Sequence, residues 1–466
     1  MGGGSLAPEQ GDVMSNDTGH TATYMPAQFL PAPPHDAWDW FVKGLIVLGL
    51  AGLIWASLQS RWFAPLLAVA ESHGLSAALV RPSMIWFAMG AGLLAFRTLL
   101  WFLYRAPPVA AFDAAPSMTV VIPAYNEGAM VAKAIDSVAA AIYPRHRLEI
   151  IVIDDGSRDD TWFHIQQAVR RHGSRIVALR QEHNRGKREA LALAFTRGTG
   201  DVFVTVDSDS VIEPQALLAL AGAFSNPRVG VVAGRVLVYN RREGTIPRML
   251  NARFMLAFDF LRAYQSTYGT VYCSPGALSA YRASAVRRVL DKWLAQRFLG
   301  AQATFGEDRA LTNDIMSLGY DSVYQRGASV LTVVPTTYRQ LCRMFLRWER
   351  SFVREELRFV RIVWRRPPLA RLIAIVDVTI TNMRYPIFYA TLALLILFAA
   401  QDPLAFGRTM LSMGAIAFLY ALYFLRSERS ADMLYVVLFA YFSFFTLFWI
   451  FPYAVCTVRA RGWLTR

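Results

Sequence analysis

The stretch LEIIVIDDGS, residues 148–157, decides the fold. Its apolar run IIVI is β-branched and too short for a helix. It breaks off on Asp154, Asp155, Gly156 and Ser157, a cluster of turn residues. A run with no polar alternation reads as a strand buried on both faces. The same grain recurs on either side, as MTVVIPAYN (118–126), RIVALRQ (175–181) and DVFVTVDSDS (201–210), with helical stretches between. Strand–helix–strand repeats of this kind predict an α/β domain over residues 113–338, built on a mostly parallel sheet covered on both faces. Ligands bind such sheets at the carboxyl ends of the strands. The polar clusters AYNE (124–127), DDGS (154–157) and DSDS (207–210) fall at those ends.

The chain as a whole is too apolar for an ordinary soluble protein, with 55% hydrophobic and 18% charged residues. Trp40–Leu58 and Ser83–Tyr104 read as two membrane spans within residues 38–105, and three more are expected near 379–399, 408–425 and 433–456 within residues 369–466. Lys43 is placed to snorkel, with Trp40 and Trp55 as interface anchors. Arg97 lies inside the second span, so it is either near the interface or facing protein. Residues 1–37 are rich in Gly, Pro and Asp, lack Lys and Arg, and read as a disordered tail with no cleavable signal peptide. The loop from Arg426 to Asp432 carries two arginines, which predicts a cytoplasmic position for it and for the α/β domain of a multi-pass cell-membrane protein.

Net charge is +14, and half of it sits in residues 339–371. A basic segment beside membrane spans favours anionic lipid or a phosphate-bearing substrate, and no nucleic-acid partner is expected. Cys273, Cys342 and Cys456 lie far apart and support neither a disulfide framework nor a zinc site.

Several groups carry candidate chemistry. Asp207 and Asp209 flank one residue at a strand end, where positions i and i+2 of a strand share a side. Two adjacent carboxylates suit a hard divalent cation such as Mg²⁺, which leaves positions open for substrate phosphates; a solvated acidic turn is the alternative. Of Asp154 and Asp155, at most one need face a site while the other caps the turn. NRGKRE (184–189) offers Lys187 and Arg188 either to a diphosphate or as a basic opening to a helix. GEDRALT (306–312) places Glu307 and Asp308 at a helix start, as caps or with a carboxylate serving as general base. Arg343, Arg347, Arg350, Arg354, Arg358, Arg361 and Arg365 recur every three or four residues, opposite Phe345, Trp348, Phe352, Phe359 and Val363. Residues 339–368 therefore read as a basic amphipathic helix on the membrane surface, ended by Pro367 and Pro368, with its arginines toward lipid phosphates.

Taken together, AYNE, DDGS, NRGKR, DSDS, GEDR and LRWERS (346–351) resemble the processive family 2 glycosyltransferases, membrane synthases of cellulose, chitin and hyaluronan. Order and spacing match over about residues 118–355, and the flanking spans match too. GEDRALT, RWERSFVRE and the ending WLTR most resemble hyaluronan synthases and rhizobial chitin-oligosaccharide synthases. The resemblance implies a GT-A-type domain and the following roles. Asp155 would hold the uridine, with Lys187 near the nucleotide. Asp207 and Asp209 would be the Asp-x-Asp, with Asp209 on Mg²⁺ or Mn²⁺. Asp308 would be the catalytic base, Arg347 would meet the diphosphate, and Trp348 would floor the acceptor sugar. Trp463, Thr465 and Arg466 would lie near the site. Two departures stand out: Met344 replaces the Gln of the Gln-x-x-Arg-Trp signature, and the acceptor loop reads YCSPGALSAYR (272–282) instead of a Ser-Gly-Pro order.

The expected activity is inverting transfer from a UDP-sugar (UDP-GlcNAc, with or without UDP-GlcA) to a growing β-linked polysaccharide, with export across the membrane. The alternatives are a non-processive transferase making a lipid-linked sugar, which has no need of LRWERS, and a membrane sensor or transporter, which has no need of Asp308.

Overall fold

The four apolar runs become neighbouring strands. In the computed structural model, which describes residues 36–59, 82–398 and 403–460, β1 (Met118–Ala124), β2 (Leu148–Asp154), β3 (Ile176–Arg180) and β4 (Val202–Val206) stand in the order β3-β2-β1-β4. The sheet continues through β7 (Leu278–Arg282), β6 (Val229–Val238), β10 (Asp321–Thr332) and β5 (Ser210–Ile212) to eight strands. β8 (Arg297–Phe298) and β9 (Ala301–Gln302) form a separate hairpin. The pairs β1–β2, β1–β4, β2–β3 and β6–β10 are parallel. β7 runs antiparallel between β4 and β6, and β5 antiparallel beside β10. The mostly parallel sheet expected from sequence is therefore present, with β7 joining its two parallel parts.

Alternation along the strands splits the core in two. Val120, Ile122, Ile150, Val152 and Val204 enter one layer, while Val121, Ile151, Ile153 and Phe203 enter the other. The first is covered by helices Met130–Ala139, Thr161–His172 and Ala216–Gly222. The second lies under Lys187–Arg197, Ala283–Leu294 and Glu307–Met316. Each such Val, Ile or Phe contributes about 1.5–3 kcal/mol over an exposed side chain. This double burial explains why the strands read as unbroken apolar runs. The register pairs Ala124 with Asp154, so the polar clusters after β1 and β2 end side by side, next to β4.

Among the described residues, four helices are long and apolar enough to cross a membrane: Ala37–Ala56, Ile85–Leu103, Pro368–Leu397 and Phe406–Glu428. The expected fifth span at 433–456 is broken, into Ala431–Thr446 and Ile450–Cys456, bent by 52°. Pro452 gives the physical reason: it has no N–H to donate to the preceding turn. Ile450 and Ala454 of the short piece pack into the core of the α/β domain. The span expected to begin near 379 belongs to a helix that starts at Pro368 and runs to Phe398.

Arg97 faces protein. It pairs with Asp377 at 2.8 Å, donates to Thr381 at 2.6 Å and lies over the Tyr264 ring at 5.1 Å. Lys43 does not snorkel; its ammonium pairs with the buried Asp39 at 2.7 Å, and Arg426 holds the other oxygen of that carboxylate. Trp40 and Trp55 are exposed, as interface anchors require.

The basic helix runs from Tyr338 to Ile362, with a 3₁₀ turn through Arg365 before the two prolines. Its arginine stripe does not all face outward: Arg361 and Arg365 are exposed, while the middle of the stripe turns into the domain. Arg350 and Arg354 are buried, and Arg358 pairs with Glu355 at 2.7 Å and Asp314 at 2.8 Å. The exposed side is instead Leu357, Val360, Arg361 and Trp364. Carboxylates buried in the domain attract the guanidinium groups more strongly than hydrated lipid phosphates would, because the pairs are shielded from water.

Candidate active site

The site forms where β2, β1 and β4 end. Asp154 and Asp155 divide the work as their alternation predicts. Asp154 accepts the N–H of Ser157 at 3.0 Å, capping the turn, and pairs with Arg180 at 3.1 Å. Asp155 points into the NRGKR loop and accepts the N–H groups of Arg185 and Gly186, both at 2.8 Å. Burial pushes its carboxyl up, and those two N–H groups oppose the shift. Asp155 therefore fixes the loop that presents Lys187.

Lys187 opens the helix Lys187–Arg197, as the helix reading of the basic loop has it, and its side chain reaches the site. Its ammonium contacts the Asp207 carboxylate and lies 3.1 Å from Glu307. Burial alone would lower the Lys187 value, but Asp207 and Glu307 hold it above the ordinary lysine range. Burial likewise would raise Glu307, but Lys187 and Arg347 draw it below the usual carboxylate range. Arg347 is thus close enough to act on this cluster electrostatically, while half-buried on its helix.

Asp207 and Asp209 are not both on a strand. β4 ends at Val206, and the Asp207 carbonyl accepts the Ser210 N–H at 3.1 Å across a turn leading to β5. The chain must leave β4 here to reach the far edge of the sheet. One Asp209 oxygen accepts the hydroxyls of Thr332 and Ser210, both at 3.2 Å. Among the described residues no cluster of three or more His, Cys, Asp or Glu could hold a metal. Two aspartates alone are nonetheless a chemically suitable donor set for Mg²⁺ or Mn²⁺, which take remaining oxygens from water and substrate phosphate.

Asp308 sits at the start of the helix Glu307–Met316. Its carboxylate accepts N–H groups from Arg309 at 2.7 Å and Gly276 at 3.2 Å, and the Cys273 thiol is 3.9 Å away. Burial, then the neighbouring Glu307 charge, pushes it up to about 6. Gly276, in the acceptor loop, comes close for a reason: a Cβ there would lie 2.9 Å from the Lys187 ammonium and 3.4 Å from Asp207. Sequence reading left Gly276 without a role, since its neighbours come from three distant segments.

Trp348 projects from the same helix as Arg347 into a box of aromatic rings, 5.8 Å from Phe254, 6.5 Å from Phe258 and 5.6 Å from Phe345. The box orients the indole and leaves it half-buried. Met344 is buried in the sheet core, which accounts for an apolar side chain at that position. Trp463, Thr465 and Arg466 lie outside the described residues, as does the tail through residue 35.

The arrangement can bind an anionic nucleotide beside cations and present to an acceptor hydroxyl a carboxylate whose proton affinity burial has raised. The family described as "Glycosyl transferase family 2" matches residues 119–290. An N-acetylglucosaminyltransferase of Rhizobium sp. (strain N33) is 31% identical over 375 residues, covering 78% of this chain and 82% of the relative. A hyaluronan synthase of Streptococcus pyogenes is 33% identical over 354 residues, covering 75% and 83%. A mannosyltransferase from Pyrobaculum calidifontis, solved in complex with GDP-Man and Mn²⁺, shares the fold with a TM-score of 0.55 at 21% identity, over 78% of this chain and 99% of that one. The sheet is thus a GT-A fold, and the chain belongs to the family 2 glycosyltransferases, set among apolar helices of membrane-spanning length.

Proposed function

We propose that the protein polymerises a β-linked polysaccharide from UDP-sugars, UDP-GlcNAc among them, with inversion, and passes the product across the membrane. The observation that carries this is Asp308: a half-buried carboxylate with its affinity for protons raised, placed beside Lys187, Asp207 and Glu307 and near the Arg347–Trp348 helix. Asp308 accepts the proton of the attacking hydroxyl. Lys187 and Arg347 stabilise charge on the departing diphosphate, where it develops. Trp348 supports the acceptor sugar through its apolar face. Asp155 holds the nucleotide-side loop and borders the uridine. Trp463, Thr465 and Arg466 are further substrate-binding residues by the same resemblance.

Asp207 and Asp209 would hold Mg²⁺ or Mn²⁺, which when bound supplies positive charge to the leaving diphosphate. The relatives named as an N-acetylglucosaminyltransferase and a hyaluronan synthase support a sugar polymer as product. The two arginines of the loop Arg426–Asp432 support a cytoplasmic catalytic domain. Membrane lipid meets Leu357, Val360 and Trp364.

The test is purified full-length protein in nanodiscs with a panel of UDP-sugars, read by UDP release and product length. Polymer is expected. Transfer of a single sugar to lipid, with nothing longer, would overturn the reading.

A further inference from the structure

The helical segment that follows β6 changes its winding once. Thr245–Met255 is α-helical, Leu256–Phe260 forms a single π-turn, and Leu261–Ser266 is α-helical again. Within the turn the Leu261 N–H donates to the Leu256 carbonyl, five residues back. A turn of this kind holds one residue more than an α-helical turn, and it is found mostly at functional sites.

Three successive residues of the turn meet three different parts of the molecule. Phe258 meets the Trp348 indole edge-on at 6.5 Å, and Phe254, one turn earlier, meets it at 5.8 Å. Asp259 is buried against β10, pairing with Arg326 at 2.7 Å and accepting the Tyr324 hydroxyl at 3.1 Å. Phe260 packs on the membrane helices, 4.3 Å from Tyr423 and 6.0 Å from Trp101. Beyond the turn, the Tyr264 hydroxyl donates to Asp377 of the helix Pro368–Phe398 at 3.0 Å. Each residue of an α-helix turns the chain by about 100°. An unbroken α-helix that kept Phe254 on the indole would carry Phe260 and Tyr264 off their partners by about that angle. The extra residue lets the first half of the segment follow the indole and the second half follow the membrane helices.

Of the three rings around the indole, Phe345 shares its helix and moves with it, whereas Phe254 and Phe258 hold it against a second element. Phe254 is buried in the sheet core, and Phe258 is half-buried. The Arg262 guanidinium lies over the Phe258 ring at 5.6 Å, a cation–π contact that fixes this ring in turn.

We propose that Phe258, presented by the π-turn, is a positioning residue for the acceptor: it sets the tilt of the Trp348 ring on which the acceptor sugar rests. The inference rests on the acceptor role of Trp348 and adds the group that orients it. Through Phe260 and Tyr264, the packing of the membrane helices determines where Phe258 stands.

The experiment uses the full chain in nanodiscs, with UDP-GlcNAc as donor and a short soluble β-linked GlcNAc oligomer as acceptor probe. UDP release is read against oligomer concentration, and UDP binding is measured separately. Phe258→Leu keeps apolar bulk and removes the ring. It should raise the KM for the oligomer about fivefold at unchanged UDP affinity, and Phe258→Tyr, which keeps the ring, should restore it. Phe258→Met carries the same test if Phe258→Leu does not fold. In a Trp348→Ala background Phe258→Leu should have no further effect, because nothing is left to orient. An unchanged KM in Phe258→Leu, or an equal rise in both backgrounds, overturns the inference and leaves Trp348 as the acceptor floor. An equal loss of UDP affinity also overturns it, since the change would then loosen the whole site. If Trp348→Ala itself leaves the KM for the oligomer unchanged, the acceptor reading fails and the inference fails with it.

Discussion

Asp308 is the base of the proposed mechanism, and its surroundings give that role a definite pH signature. Asp308→Asn keeps the shape and loses the proton acceptor, so turnover should fall by about 10²-fold or more with UDP affinity retained. Near-normal turnover would reduce Asp308 to a helix cap. A base works in its ionised form. With its carboxyl pushed up to about 6, activity should fall as pH drops through that value, about tenfold per unit below it. The Glu307 charge helps hold the value up. Glu307→Gln should therefore move the acidic limb of kcat/KM to lower pH, and a limb that moved up instead would mean another group titrates. Asp308 was legible in the sequence because GEDR is contiguous and marks a helix start. The contacts that tune it were not, because Gly276, Lys187 and Asp207 come from separate segments that only the sheet brings together.

The helix Tyr338–Ile362 was legible as an element, but not the facing of its middle turns. Periodicity gives which residues share a side, and around Arg350, Arg354 and Arg358 that side meets the domain. Arg354 donates to the Phe305 carbonyl and pairs with Glu355 at 2.9 Å, while Glu355 also accepts from Gln296 at 2.6 Å. Hydrophobic patterning carries no signal for a charged seam of this kind, because it treats every arginine as solvent-facing. The seam makes a prediction. Arg354→Ala leaves Glu355 buried with a partner lost and should cost about 3–5 kcal/mol, seen as a lowered denaturant midpoint. Arg361→Ala, on the exposed side, should stay within about 0.5 kcal/mol. Equal effects would restore the lipid-facing reading. The junction is also tight at Gly306, which has φ +73° and whose added Cβ would overlap the Ser351 hydroxyl oxygen. Gly306→Ala should separate the base helix from the Arg347–Trp348 helix, lowering sugar transfer more than UDP binding. Retained transfer would show that the two helices work independently.

At the scale of the whole molecule, hydropathy located four spans and could not say what they face. That information lies in pairs far apart in the chain, of which Arg97 and Asp377, 280 residues apart, are the clearest. Their ion pair ties the helix Pro82–Leu103 to the helix Pro368–Phe398, and the Tyr264 hydroxyl, from the catalytic domain, donates to the same carboxylate at 3.0 Å. The domain is thus joined to its membrane helices by buried charge as well as by apolar packing. A buried pair of this kind is expensive to break from one side only, because the remaining charge has no water to return to. Arg97→Leu and Asp377→Leu should each lower stability by about 3–5 kcal/mol. The double variant replaces both charges with apolar side chains and should recover most of that loss, giving a strong coupling in the double-mutant cycle. Thermal unfolding of the four proteins in one detergent measures it. Additive losses would mean that each charge is held by other groups and that the pair does not join the two helices.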